Sequence, residues 1–154
     1  MIQLPKEYVL LEKTDKRLRA KNADVDPKDP NLLKLIDDMF EKMYEWNGIG
    51  LAAPQFGMNI RLAVVDTGKS GEKFALINPE ITYASKEATL LEEGCLNFHG
   101  EYLRIHRPRK IRIKFYDVNG KLRKMKAQGL LAKVFQHETD HLNQKMIIDR
   151  ANEV

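Results

Sequence analysis

His137-Glu138-Thr139-Asp140-His141 places two imidazoles four residues apart, with a carboxylate next to the first. On an α-helix residues i and i+4 share a face, so both rings can reach one metal ion. Glu138 lies about 100° further round the helix. It can flank that ion without ligating it and take a proton from a water held there. Two histidines leave the coordination incomplete. The only cysteine, Cys95 in Glu92-Glu93-Gly94-Cys95-Leu96-Asn97, is the candidate third ligand, and the glycine before it lets the backbone approach a neighbour closely. A lone cysteine is ordinarily a reduced, buried hydrophobe. Beside an HExxH helix, its thiolate completes a Cys/His/His set with one position open, the arrangement of a catalytic site. The charge of the ion suffices to deprotonate it. By ligand type the set accepts zinc, iron, cobalt or nickel.

A third segment, Asn47-Gly48-Ile49-Gly50-Leu51-Ala52-Ala53-Pro54-Gln55, ends a helical stretch and then turns small and apolar. Taken alone, its GxG is a helix C-cap followed by a tight turn. No strand precedes it and no third glycine falls at the required place, so it is not a dinucleotide fingerprint.

Together, Gly48-Ile49-Gly50-Leu51-Ala52-Ala53-Pro54-Gln55, Glu93-Gly94-Cys95-Leu96 and Gln136-His137-Glu138-Thr139-Asp140-His141-Leu142 resemble, in order and spacing, the three signature motifs of the peptide deformylases. The resemblance runs from about Leu32 to Arg150. It implies an enzyme that removes the formyl group from the N-terminal formylmethionine of nascent chains. It also implies one Fe²⁺, with Zn²⁺, Ni²⁺ or Co²⁺ able to substitute, held by Cys95, His137 and His141. Glu138 would be the general base, and the Gln55 side-chain amide and Leu96 backbone N–H would be donors to the oxyanion. The chain departs from the family pattern in four places. Asn97 stands where serine is common, and His99-Gly100 where proline-glycine is frequent. Gln144 replaces a glycine, and the chain stops four residues after Arg150, as in short, bacteriophage-type members that lack a C-terminal helix. None of these is a ligand or the base, so the departures are expected to alter rim contacts and partner docking rather than chemistry.

The elements that must position these groups follow from periodicity. Leu32, Leu35, Ile36, Met39, Phe40 and Met43 recur at helical spacing, with Pro30 at the first turn and Gly48 just past the end. Arg61–Asp66 and Phe74–Ile77 read as strands flanking a Gly68-to-Gly71 loop. Ile111, Ile113 and Phe115 alternate with Arg112 and Lys114 before Asp117-Val118-Asn119-Gly120 turns the chain as a hairpin. The segment through Asp29 is charged and aperiodic, a strap over the domain. This predicts an α+β fold with small antiparallel or mixed sheets packed around a central helix carrying HExxH. It forms one catalytic domain over residues 1–154, with 43% hydrophobic and 31% charged residues. No apolar run approaches the ~20 residues that span a bilayer, and no charged-then-apolar leader opens the chain. A cytoplasmic enzyme is therefore expected.

A methionine side chain needs an apolar pocket, for which Ile49, Leu91, Leu130 and Val134 are candidates; each is equally well explained as core packing. The peptide beyond it can pair as an extra strand beside Gly48-Ile49-Gly50. Metal-bound histidines usually give their other N–H to a carboxylate or carbonyl. Asp140 and Glu93 are available, and Arg107 can brace one of them; a surface ion pair is the plain alternative. From Arg104 to Lys126 the chain is dense in Lys and Arg, with Asp117 the only acid, although the net charge is only +4. Such a stretch is ordinarily a solvated sheet face; the alternative is a weak electrostatic contact with ribosomal RNA. Nothing in it suggests sequence-specific nucleic-acid reading. Two rival functions share the motif: an HExxH metallopeptidase, and a non-catalytic metal-binding homologue that only holds peptide N-termini.

Overall fold

The computed structural model describes residues 1–151. The end of the chain, and with it the expectation about a missing C-terminal extension, lies outside the described residues. Helix α1 (Leu32–Glu45) buries Leu32, Leu35, Ile36, Met39 and Met43 along one stripe. It ends in a Schellman turn: Gly48 N–H bonds Met43 O at 2.9 Å, and Asn47 N–H bonds Tyr44 O at 3.1 Å. The left-handed residue is Asn47 (φ 60°), not the expected Gly48. Asparagine tolerates that conformation because its short polar side chain can bond locally.

Strands β1 (Gly50–Ala52), β2 (Leu62–Asp66), β3 (Lys73–Ala84), β6 (Lys110–Tyr116) and β7 (Leu122–Gln128) form one sheet in the order β1-β2-β3-β6-β7. β4 (Ala88–Gly94) and β5 (Tyr102–Pro108) form a second, two-stranded sheet. Every pair of named strands is antiparallel. β3 runs well past the expected Ile77, through register shifts between Ile77 and Glu80 and between Ile81 and Tyr83. A periodicity reading loses such a strand because each irregularity swaps its inward and outward faces.

β2 is apolar without alternation because both its faces are covered. Leu62 and Val64 pack toward α1, while Ala63 and Val65 join Phe135 and Val134 of α2 (Gly129–Leu142). Helix α2 thus lies across the five-stranded sheet, as expected for the HExxH helix. Short α3 (Ile147–Ala151) packs on β5. The N-terminal segment is a strap. Leu11 N–H bonds Gln55 O at 2.9 Å, and Asn22 Nδ2 donates to the carbonyls of His141 (3.3 Å) and Leu142 (3.1 Å). Those carbonyls end α2, where Gln144 N–H and Arg61 also donate to them, so the strap helps to cap the helix.

Candidate active site and metal centre

Helix α2 supplies His137 and His141 from one face, and the chain leaving β4 supplies Cys95. One ligand atom from each lies within 4.8 Å of the other two. Cys95 Sγ is 3.3 Å from His141 Nε2. Glu138, next in sequence to the first histidine, is buried, and its Oε1 has no hydrogen-bond partner. A soft thiolate, two imidazoles and an unpaired carboxylate oxygen fit one divalent transition-metal ion and a group bound to it. Burial, reinforced by the positive charges of His137 and Arg107, holds His141 well below the usual imidazole range, so it presents a neutral lone pair. Burial also opposes charge on His137, but Glu138, Cys95 and Glu93 outweigh it and draw that ring upward. The same negative field favours a cation.

Behind the ligands runs a buried chain of ion pairs. His137 Nδ1 lies 3.0 Å from Glu93 Oε1. The Arg107 guanidinium donates to both Glu93 oxygens (2.8 and 2.9 Å) and to Asp140 Oδ2 (2.5 Å). Arg150 of α3 closes the far side of Asp140 with bonds of 3.0 and 2.7 Å. Burial alone would raise Glu93, but Arg107 and then His137 overcome it and hold the carboxyl at about 2. Glu93 therefore remains an anion that fixes the ring plane of His137. Asp140 bonds arginines rather than a histidine. The surface ion pair weighed from sequence is instead a buried network.

Glu138 packs against the main chain of β1: a Cβ built on Gly50 would lie 2.5 Å from Glu138 Oε2. Burial pushes the Glu138 carboxyl up to about 7, against the attraction of His137. Gln55, in the 3₁₀ turn Ala53–Phe56, is buried and held at both ends of its amide. Ala52 N–H donates to its Oε1 at 2.8 Å, and its Nε2 donates to Asn97 Oδ1 at 2.9 Å and toward Cys95 Sγ at 3.5 Å. Asn97 in turn donates to the carbonyls of Leu11 (2.8 Å) and Gln55 (3.0 Å). The departure at Asn97, expected to affect the rim, therefore lies inside the site and locks the Gln55 amide.

The sequence and the fold are similar to those of known enzymes. Residues 8–154 match the family described as polypeptide deformylase. The chain is 44% identical over 139 residues to the chloroplastic peptide deformylase 1B of Oryza sativa subsp. japonica, covering 88% of this chain and 52% of that one. It is 45% identical to the peptide deformylase of Prochlorococcus marinus (strain AS9601), covering 88% and 69%. The crystal structure of peptide deformylase from Thermotoga maritima superposes with a TM-score of 0.88 at 41% identity, over 93% of this chain and 96% of that one.

The chain belongs to the polypeptide deformylase family. The members of this family are hydrolases that remove the N-terminal formyl group from nascent polypeptides. This chain spans about half the length of the rice relative and about two thirds of the Prochlorococcus one. Within the deformylase fold, Cys95 and His137 open onto a cleft of about 550 Å³, with His141 buried behind them. Gly48, Ile49, Gly50, Gln55, Leu96, Val134 and Glu138 line it together with Cys95 and His137. Leu91 and Leu130 do not line this cleft. They border an adjoining groove of about 460 Å³ with Thr89 and Pro108, and Lys133 belongs to both hollows. For Leu130 the reason is distance along the helix. Lys133 and Leu130 lie four and seven residues before His137 on nearly one face, but Leu130 is two turns, ~10 Å, back and half exposed.

Sequence reasoning passed over Lys133, Trp46, Phe98 and Tyr102 on the cleft wall, and Asn22 and Arg150 behind it. Only Lys133 carried a signal, its i−4 spacing from His137. The others meet the site through contacts distant in sequence. Gly94, read as a point of close approach, faces the Tyr102 ring, which a Cβ there would meet at 2.8 Å.

Proposed function

We propose that this deformylase hydrolyses the formamide of N-formylmethionyl nascent peptides and releases formate, using one Fe²⁺ held by Cys95, His137 and His141, with Zn²⁺, Ni²⁺ or Co²⁺ able to replace it. The observation that carries the proposal is the convergence of three ligand atoms within 4.8 Å beside a buried, unpartnered Glu138 oxygen. An ion held by these residues would supply Lewis acidity and make a nearby water easier to deprotonate. Glu138 takes a proton from the water as its oxygen adds to the formyl carbon. It returns that proton to the amine nitrogen as the C–N bond breaks. A buried carboxyl beside the ion, with one oxygen free of hydrogen bonds, can accept the proton and give it up again. The Gln55 NH₂, fixed by Ala52 and Asn97, and the Leu96 N–H are donors for the developing oxyanion, set before the reaction so that they need not reorganise.

Gly48, Ile49 and Gly50 border the cleft on the free edge of β1, where an extended peptide can add as a strand. Ile49 and Val134 offer apolar contact to methionine at the cleft, and Leu91 and Leu130 offer it in the adjoining groove. The proposed compartment is the cytoplasm, where a reduced thiol ligand persists. No described helix is long and apolar enough to cross a membrane.

The test is anaerobic purification, metal analysis and formate release from formyl-Met-Ala compared with cleavage of a free-amino peptide. Stoichiometric metal with formate release supports the proposal. Cleavage of the free-amino peptide alone would replace it with a metallopeptidase, and metal binding without turnover would replace it with a non-catalytic holder of peptide ends.

A further inference from the structure

Gln55 and Asn97 are two buried carboxamides beside the ligands, and the main chain around them decides which way each one faces. The Ala52 N–H can be met only by an acceptor, so Gln55 turns its Oε1 toward it at 2.8 Å and its NH₂ away. That NH₂ donates to Asn97 Oδ1 at 2.9 Å. Asn97 presents its oxygen there because its own NH₂ is held by two groups that can only accept, Leu11 O at 2.8 Å and Gln55 O at 3.0 Å. Reversing either amide would set donor against donor, or oxygen against oxygen, in the interior. Leu11 belongs to the strap, and its N–H also bonds Gln55 O at 2.9 Å. Two residues further along the strap, Lys13 Nζ lies 2.7 Å from Glu101 Oε2 and over the Phe98 ring at 5.9 Å, so the strap grips the same rim that carries Asn97. One N–H of Gln55 is thus held by Asn97. The other lies on the side of Cys95, whose Sγ is 3.5 Å from Nε2.

We infer that Asn97 is a positioning residue: anchored by the strap carbonyl of Leu11, it fixes which way the Gln55 amide faces and keeps one N–H of that amide aimed at the oxygen of the formyl group. The inference deepens the proposed function and rests on it for the identity of that oxygen. Without Asn97 the Gln55 side chain keeps only the Ala52 contact at its oxygen and the weak contact with sulfur, and it can swing about the first. A donor that must be turned into place during the reaction loses the advantage of being set beforehand. Packing alone does not call for asparagine, because leucine has a similar shape. Serine, common at this place in the family, ends one bond short and has a single hydrogen to give. Asparagine can hold both carbonyls and the Gln55 NH₂ at once.

The experiment compares native protein with Asn97→Leu, Asn97→Ser, Gln55→Leu and the double variant of Gln55→Leu with Asn97→Leu. All are metal-loaded, with metal content and thermal unfolding measured on each sample. Formate release from formyl-Met-Ala gives kcat and KM. Solvent exchange of the Gln55 side-chain NH₂, followed by NMR on isotope-labelled, zinc-loaded protein, reads the amide directly; its signals are the pair missing from Gln55→Leu. Asn97→Leu should lower kcat at least ~10-fold, and by no more than Gln55→Leu does, with KM nearly unchanged. Asn97→Ser should fall between native protein and Asn97→Leu, and it serves in place of the leucine variant if that one does not fold. The double variant should match Gln55→Leu within about 2-fold, since a residue that acts through Gln55 then has nothing left to position. The Gln55 protons should exchange at least ~10-fold faster in Asn97→Leu than in native protein. Native kcat in both Asn97 variants, a loss confined to KM, additive losses in the double variant, or a kcat loss that only follows lost metal or stability would each overturn the inference. Fast Gln55 exchange in native protein would do the same. If native protein releases no formate, the deformylase reading fails, and the exchange comparison still decides whether Asn97 holds the amide.

Discussion

Adding one methyl group at Gly50 tests the assignment of Glu138 without touching a ligand or the base. Gly50 begins β1 with an ordinary extended backbone, so alanine is accepted there without strain. Its Cβ would stand 2.5 Å from Glu138 Oε2, 2.9 Å from Cδ and 3.0 Å from Cγ. Relaxed contacts need ~3.5 Å, so the carboxylate must retreat by about 1 Å. A displacement of that size at a reacting group costs about 10²-fold in rate, equivalent to roughly 2.7 kcal/mol of barrier. The loss should fall on kcat, because the new methyl points at Glu138 and not along the strand edge where the peptide pairs. Stability should change by less than about 1 kcal/mol, since glycine-to-alanine also lowers the entropy of the unfolded chain. The assay is formate release from formyl-Met-Ala by Gly50→Ala protein, with metal content and thermal unfolding measured on the same sample. A folded, fully metallated Gly50→Ala enzyme with native kcat would refute the placement of Glu138 at the reacting atoms. A rise in KM alone would mean that Gly50 governs peptide binding instead.

Further consequences follow from individual contacts. Glu138→Gln keeps size and hydrogen-bonding capacity but removes the proton acceptor, so turnover should fall at least ~10²-fold at full metal occupancy, read by formate release with metal analysis. Cys95→Ser should weaken metal retention, since an alcohol is a harder and less readily ionised ligand; competition against a chelator reads this, and unchanged retention would remove Cys95 from the ligand set. Arg107→Met removes the paired donors of the buried Glu93 carboxylate, while Asp140 keeps Arg150, and should cost about 3–5 kcal/mol in denaturant unfolding, a loss no exposed pair such as Lys42–Glu45 would show. Asp149 is held below the ordinary carboxylate range first by the Arg19 fork. Its contribution to stability is therefore complete above that range and disappears as pH falls through the depressed value. Asp149→Asn should accordingly lower stability at neutral pH, converge with the native protein in acid, and so flatten the acid limb of the unfolding profile.

Part of the candidate site was legible in the sequence because three of its groups are local. His137, Glu138 and His141 acquire their relative placement from one turn of helix, and a single cysteine left no choice of thiol ligand. α1, the β2–β3 hairpin and the β6–β7 hairpin were legible for the same reason, since each is a short-range pattern of period 3.6 or 2. What the sequence left open depended on partners distant along the chain. Leu91 and Leu130 have the right residue types for the cleft, but Leu130 sits two helical turns from His137, so the nearer Lys133 borders the cleft and both leucines line the groove beside it. Asn97 looked like a rim substitution until the strap and the 3₁₀ turn around Gln55 closed over it. From sequence, Glu93 and Asp140 were alternative partners for a histidine with Arg107 bracing one of them or merely a surface ion pair, and Arg150 had no evident relation to any of them. Only the packing of β4, β5, α2 and α3 turned them into one buried network, because in the interior each charge must find its counter-charge or remain uncompensated. Spacing along the chain determines which groups can share a helical face. Which faces then meet is decided by the packing of the whole chain around α2.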